Sequence, residues 1–386
     1  MSEISDMIQR LCPDGVEYRK LGEVCSVVSA PKKIDKGDYQ SSGMIPIVDQ
    51  GKKLVIGYTN DCYATVPKGC YVIFGDHTRE IKYVDFDFAQ GADGVKILKA
   101  NNHVDIRYLF HAMTNLTIPS RGYNRHWTIA RDLEIPVPPL EVQRKIVEVL
   151  DNFSELTAEL TAELEARKKQ YEYYRDNLLN FSQIAPNSVK WMKISEVFEI
   201  RNGYTPSKAK AEFWESGTIP WFRMEDIRQN GRILSDSILH ITSEGVKGKG
   251  LFKANSFILA TTATIGEHAL IIADSLANQQ FTNLKICKSL EKELTIKYVF
   301  YYLFVVDEWC KANTNVSGFA SVDMAKFKNL LFPIPPLSEQ ERIVSILDRF
   351  ESLTTDLTSG LPAEIKARQQ QYEYYRDQLL TFKRAN

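Results

Sequence analysis

Apolar side chains recur at heptad spacing in two stretches of the chain. Beyond Leu140, Ile146, Phe153, Leu160, Arg167, Tyr174 and Phe181 fall every seven residues, and Leu150, Thr157, Leu164, Tyr171 and Leu178 form a second seam. Sustained a/d spacing with polar residues between predicts a long coiled-coil helix. Pro139 cannot sit inside a helix and marks its start. The seam returns after Pro336 as Ile343, Phe350 and Leu357 with Leu347, Thr354 and Leu361. Ser338 followed by Glu341 reads as a capping box there; the first copy has Glu141 and lacks the hydroxyl.

These helices are copies of one sequence. Ile135-Pro-Val-Pro-Pro-Leu-Glu-Val-Gln143 returns as Phe332-Pro-Ile-Pro-Pro-Leu-Ser-Glu-Gln340, and Gln170-Tyr-Glu-Tyr-Tyr-Arg-Asp176 returns as Gln371-Tyr-Glu-Tyr-Tyr-Arg-Asp377. Repetition at so long a period means duplicated domains rather than a solenoid. Between the two blocks the offset grows from 197 residues (Ile135 to Phe332) to 201 (Gln170 to Gln371), the size of a coiled-coil stutter. Gly360-Leu361-Pro362 lies at the slip and predicts a break, with a restart at Pro362; Tyr372, Tyr375, Leu379 and Phe382 resume the seam. The first helix also carries Thr157-Ala-Glu-Leu160 followed by Thr161-Ala-Glu-Leu164. Each such unit adds ~6 Å of helix, which suits a strut lengthened in steps and equally suits plain helix-forming sequence.

The segments before the helices have a different grain. Short apolar or alternating runs at Cys70–Phe74, Gly94–Leu98, Ser256–Ala260 and Ala269–Ile272, broken by Gly, Asn and Asp, predict β-rich domains. Arg107–Met113 and Ile296–Val305 are aromatic-rich helices expected to pack the core. The two segments echo one another only at anchors such as Gly43-Met-Ile-Pro46 and Gly217-Thr-Ile-Pro220. The expected class is α+β: two β-rich domains alternating with two long helices that pack as an antiparallel coiled coil, an internal pseudo-two-fold repeat. The boundaries are residues 1–134 and 183–331 for the domains, and 135–182 and 332–386 for the helices.

Composition narrows the function. The 386 residues are 44% hydrophobic and 25% charged, enough for two to three domains with real cores. No apolar run reaches a membrane span and the start lacks a signal-peptide pattern, so a cytoplasmic location is expected. The six cysteines and six histidines are scattered, with no Cys-x-x-Cys, which argues against metal sites and disulfides. A net charge of −1 does not suit wholesale nucleic-acid binding; DNA contact requires local patches or partners that supply positive field.

Divergent domains alternating with near-identical helices imply that the helices meet something common and the domains meet something different. The doubled Pro-Pro-Leu-x-x-Gln helix starts, the doubled Gln-Tyr-Glu-Tyr-Tyr-Arg-Asp blocks, the Thr-Ala-Glu-Leu repeat, and Gly203-Tyr-Thr-Pro-Ser207 ahead of Ile219-Pro-Trp221 together resemble the specificity subunit of a type I DNA restriction-modification system. The resemblance spans essentially the whole chain. It implies two target-recognition domains, each reading one half of a split double-stranded DNA sequence. It also implies antiparallel helices that space the half-sites and hold two methyltransferase subunits and the restriction (translocase) subunits. Reading successive faces of B-DNA needs domains about 34 Å apart or somewhat more, within reach of a helix of this length. Methyl transfer from S-adenosylmethionine and ATP use then belong to the partners, and no cofactor is expected on this chain. The repeated residues Gln143 and Gln340, Tyr173 and Tyr374, and Arg175 and Arg376 are the partner-binding candidates.

The leading DNA candidate is Ser120–Arg131, which has no acid and interleaves Arg121, Arg125 and Arg131 with Tyr123, His126 and Trp127. Arginine bridges guanine or grips phosphate, and Asn124 suits adenine. Alternatively the segment is a solvated loop with Trp127 plugging the core. Asn315–Ser321 is its counterpart in the second copy. In the second domain Tyr204, Thr205, Ser207 and Lys208 offer donors on a turn-rich loop, Arg223 adds charge, and Gln279 and Gln280 read base edges or satisfy their own turn.

Catalytic readings fare poorly. The proline pairs lack the polar residue before and the aromatic after that a methyltransferase motif needs, and Gly245–Gly250 is no phosphate loop. Asp76, Glu80 and Lys82 superficially suit a nuclease, a trio common in charged loops. A duplicated coiled-coil adaptor without DNA binding is the remaining alternative. It does not explain why the domains diverge while the helices do not.

Overall fold

The computed structural model describes residues 2–91, 93–181, 189–248, 250–315, 320–355 and 359–385. The chain forms two compact units, one of residues 1–162 with 363–386 and the other of residues 163–362. Each unit therefore takes one β-rich domain, the start of the helix that follows it, and the end of the other helix.

In the first unit Tyr71–Gly75 is the central apolar run of a four-stranded antiparallel sheet ordered Cys25–Val28, Val95–Ala100, Tyr71–Gly75, Ile81–Val84. A second four-stranded sheet runs Gly57–Thr59, Ile45–Val48, Phe88–Gln90, Thr65–Val66, with one parallel pair. The predicted aromatic helix is Ile106–Thr114, begun by Asp105, whose carboxylate accepts from Arg107 N and Tyr108 N. This is the side-chain cap that satisfies otherwise orphaned amides. Its inner face, Tyr108, Leu109 and Met113, joins Phe74, Leu98, Ile135, Val142, Ile146 and Leu150 in one core.

The second unit repeats this plan with a five-stranded sheet ordered Phe198–Asn202, Phe281–Ile286, Ser256–Ala260, His268–Ile271, Ile233–Leu234. A three-stranded sheet of His240–Ile241, Ile219–Phe222 and Leu276–Ala277 stands beside it. Its aromatic helix is longer than predicted, Ile296–Ala312, because Val306 and Cys310 continue the buried face.

The first long helix is continuous over 39 residues, Leu140–Leu178, or roughly 60 Å at helical rise. Along it Thr157, Leu160, Leu164, Arg167 and Tyr171 are half-buried, while Ala158, Glu159, Thr161, Ala162, Glu163, Glu165 and Ala166 are exposed. The seam is thus visible in burial as well as in sequence. Phe153 stacks on Tyr375 within the first unit, and Tyr171 and Tyr174 meet Phe350 within the second. Within the first unit Phe153 meets Tyr375, and Thr157, one turn on, lines a cavity with Gln369 and Tyr372, so numbering falls along one helix as it rises along the other and the pairing is antiparallel.

The second helix occupies Leu337–Thr355 and Leu361–Leu379, with non-helical Ser359 and Gly360 before the restart. The interruption falls where the four-residue slip predicts it, one residue earlier at its restart; Leu357 lies outside the described residues. The capping box at Ser338 is not formed. The helix starts at Leu337, one residue ahead, because Pro336 O already accepts from Glu339 N and Gln340 N. Pro139 O opens the first helix in the same way, accepting from Val142 N and Gln143 N.

Candidate nucleic-acid interface

Four connections meet at one end of the first domain: Asp49–Gly51, the hairpin turn Asp76–Glu80, Asp93–Gly94, and the arm 120–126. Gln50 ties three of them together. Its Oε1 accepts from His77 N at 3.2 Å, its Nε2 donates to Asp93 O at 3.1 Å, and its carbonyl accepts from Thr78 Oγ1. Gly94 closes the group at φ +85°, where a Cβ would stand 2.6 Å from His77 Cδ2. No side chain fits there, and glycine alone takes that backbone without strain.

The arm is anchored on Asp76. Its carbonyl accepts from His126 N at 2.8 Å and from His126 Nδ1 at 2.9 Å, and its carboxylate accepts from Trp127 N at 2.7 Å. Beyond this anchor Arg121, Tyr123, Asn124 and Arg125 are all exposed. Tyr123 is 84% exposed, its ring laid on His77 at 4.6 Å and 11°. Asn124 Nδ2 donates to Arg121 O at 2.6 Å, which leaves Oδ1 to accept. Arg125, Lys33 and Lys96 line a 310 Å³ cavity with Asp76 and Asp93. Lysine is partly neutralised there, since Lys33 pairs with Asp93 and Lys96 lies 3.8 Å from Asp76.

Trp127 does not belong to this exposed set. It is half-buried against Phe74 at 5.6 Å and packs on the core, so its ring plugs the domain. Asp76, Glu80 and Lys82 form no acidic cluster: Lys82 is buried and donates to Asp49 O and Lys53 O, bracing the loop that carries Gln50. Burial also holds the Lys82 ammonium below its ordinary pKa. His126 belongs to the arm that the sequence singles out; His77 and Gln50 are additions to the site. Nothing in their local sequence sets them apart, because their partners lie tens of residues away.

In the second domain the structure joins Thr205 and Gln279, whose side chains hydrogen-bond directly. Gly203 permits this close approach; a Cβ there would meet Asn278 O at 2.2 Å. Gln280 is half-buried and completes its own turn, receiving Asn278 Nδ2 and donating its N–H to Asn278 Oδ1. Tyr204 is scaffolding: its hydroxyl donates to Gly245 O and accepts from Lys247 N, and its carbonyl accepts from Trp221 Nε1. Ser207 O accepts from Trp214 Nε1, and Lys208 is exposed beside it. Arg223 begins the helix Met224–Asn230 and faces Glu225. The counterpart arm is described only at its ends. Ala320 O accepts from Ala263 N and Val322 N donates to Thr261 O, so it too is tied to a hairpin turn.

Gln143 and Gln340 are corrected as partner contacts. Both are fully buried, and each latches a domain to its helix. Gln143 receives Asp105 N at 2.8 Å and donates to His103 O and Pro138 O. Gln340 receives Thr295 N at 2.9 Å and donates to Glu293 O and Pro335 O. Buried amides must be satisfied, and these have nothing left to offer a partner. Arg175 lies over Phe304 at 4.9 Å and pairs with Asp176, while Arg376 lies over Tyr372 and pairs with Asp377. Tyr173 and Tyr374 are the exposed members, at 66% and 62%.

No helix among the described residues is long and apolar enough to cross a membrane, and none of those residues form a group suited to a metal ion. Residues 13–167 and 186–367 match the family described as Type I restriction modification DNA specificity domain. The chain is 36% identical over 408 residues to the Type I restriction enzyme EcoR124I/EcoR124II specificity subunit of Escherichia coli, covering 99% of this chain and 98% of that protein. It also resembles the S subunit of the M. genitalium type I restriction-modification system, with a TM-score of 0.55 at 14% identity over 95% of this chain and 96% of that one. A chain from a type I R-M complex studied for its assembly and conformational transition aligns with a TM-score of 0.62 at 18% identity, over 96% and 98%. With its duplicated domains, its antiparallel helices and both family matches, the chain belongs to the type I restriction-modification specificity subunits.

Proposed function

We propose that residues 1–134 and 183–331 are two target-recognition domains, each reading one half of a bipartite double-stranded DNA sequence. The helical segments 135–182 and 332–386 set the unread spacer and dock two methyltransferase subunits and the restriction subunits, in the cytoplasm. The chain supplies recognition, and its partners supply the chemistry.

One observation carries this reading: the joints between domain and helix are the same in both units, whereas the exposed loops differ. Tyr108 and Tyr298 donate to Pro136 O and Pro333 O, each at 3.0 Å, and Gln143 and Gln340 latch equivalent carbonyls. At the loop ends the first unit's arm carries Arg121, Arg125 and a stacked Tyr123, whereas its counterpart Asn315–Ser321 has no arginine in its sequence, and the second unit presents a Thr205–Gln279 pair. Equivalent joints suit two copies of one partner; unlike loops suit two different half-sites. Arginine and amide side chains are the groups that read base edges in the major groove. Tyr173 and Tyr374, exposed and repeated, are the docking candidates on the helices.

The test is binding of labelled duplex by this chain assembled with its methyltransferase subunits. Expected is a retained complex that weakens steeply with salt, since phosphate contacts release counterions. A complex with no affinity for duplex at low salt would leave the protein adaptor as the better account.

A further inference from the structure

We propose that His126 is the positioning residue of the first reading arm and holds it only as the neutral imidazole. The inference rests on the reading that this arm meets DNA. His126 is fully buried, and both ring nitrogens face backbone. Nδ1 lies 2.9 Å from Asp76 O, a group that can only accept, so Nδ1 carries the proton. Nε2 lies 3.1 Å from Arg121 N, an amide that can only donate, so Nε2 is bare. One tautomer satisfies both partners. Protonation places an N–H on Nε2 against the Arg121 N–H, which repels the first residue of the arm from its seat.

After Arg121 the chain runs exposed through Gly122–Arg125, with Tyr123 seated on His77. Losing the Arg121 bond frees the run that carries Tyr123, Asn124 and Arg125, while the foot of the arm stays bonded to Asp76 through His126 N and Trp127 N. The charged and titratable groups on the elements packed around His126 are Asp76, Lys96, His77, Arg79, Arg121 and Arg125. Asp76 turns its carboxylate to Trp127 N and toward Lys96, and Arg79 donates to Ile118 O. The imidazole's own partners are therefore backbone atoms, and its charge state decides the arm.

The test uses the full chain with its methyltransferase subunits and three duplexes: the methylated bipartite sequence, and that sequence with either half scrambled. Discrimination at each half is measured from about pH 8 down to the acid limit at which the complex stays assembled. For the wild type, discrimination at the first half falls roughly tenfold in acid, while the second half holds. His126→Gln, whose Oε1 can still accept from Arg121 N, keeps discrimination and flattens the profile. His126→Phe loses discrimination at the first half at every pH and retains it at the second, which also reports that the complex is folded. Parallel pH profiles for the two halves, or a His126→Phe complex that reads both, overturn the proposal; should His126→Phe not assemble, the wild-type profiles decide. A wild type that prefers no duplex refutes the DNA reading itself, a different outcome from a wild type that reads both halves without regard to pH.

Discussion

Phe153 stacks on Tyr375 with ring centroids 5.1 Å apart and planes at 26°, and its repeat partner Phe350 stacks on Tyr174 at 5.5 Å and 27°. Each unit thus closes on the same pair of residues taken from opposite copies. The second copy spends four more residues than the first between its two stacking positions, and its helix is interrupted at Ser359 and Gly360, inside that interval. The break lets both ends keep their seam register despite the insertion.

A double-mutant cycle on Phe153→Ala and Tyr375→Ala measures that stack. Coupling of about 1 kcal/mol is expected from denaturant unfolding of the full chain. Coupling indistinguishable from zero would mean the rings merely share a surface.

Gln143→Ala removes the acceptor for Asp105 N and the donor for His103 O and Pro138 O, all held by one fully buried side chain. A loss of about 3 kcal/mol is expected by urea denaturation. Gln340→Ala should cost a similar amount in the second unit. A near-neutral Gln143→Ala with intact DNA binding and lost partner binding would restore the surface role.

Asp151 receives Arg107 Nε at 2.8 Å and lies 2.8 Å from His111 Nε2. Burial works against its ionisation, but the hydrogen bonds from His111 and Arg107 outweigh it and hold the carboxyl below its ordinary pKa. A carboxyl depressed on folding contributes stability above its unfolded pKa and loses it as pH falls through the folded value. Wild type and Asp151→Asn should therefore differ most near neutrality and converge in acid below the ordinary carboxylate range. A gap that widens on acidification contradicts the assignment.

Inserting a third Thr-Ala-Glu-Leu unit after Leu164 adds ~6 Å to the first helix. Methylation by the resulting complex should keep both half-sites and lengthen the unread spacer. An unchanged spacer would show that these repeats are only helix-forming sequence.

The helices are readable because their signal is local and periodic: seven-residue spacing, two prolines and a repeated block determine where they start and slip. The β-rich domains are readable as a class, since runs such as Tyr71–Gly75 are apolar enough to be central strands. Partners at long range are not. Gln143 reads as a surface glutamine on a helix, yet its bonds reach His103 and Asp105 across some 40 residues. Trp127 reads as an aromatic in a basic loop, yet Phe74 covers it. His77 carries no sequence signal, and His126 reads as one more aromatic of the basic arm although it is buried beneath it; the roles of both depend on a turn and an arm brought together by the fold.

Sequencing methylated bases in a host that carries this gene with its methyltransferase gene tests the central claim most directly. Expected is one bipartite motif with a fixed unread spacer, present only with the gene, whose first half alone changes when residues 120–126 are exchanged for those of a relative. A continuous motif, or two halves that change together, would contradict the division of reading between the two domains.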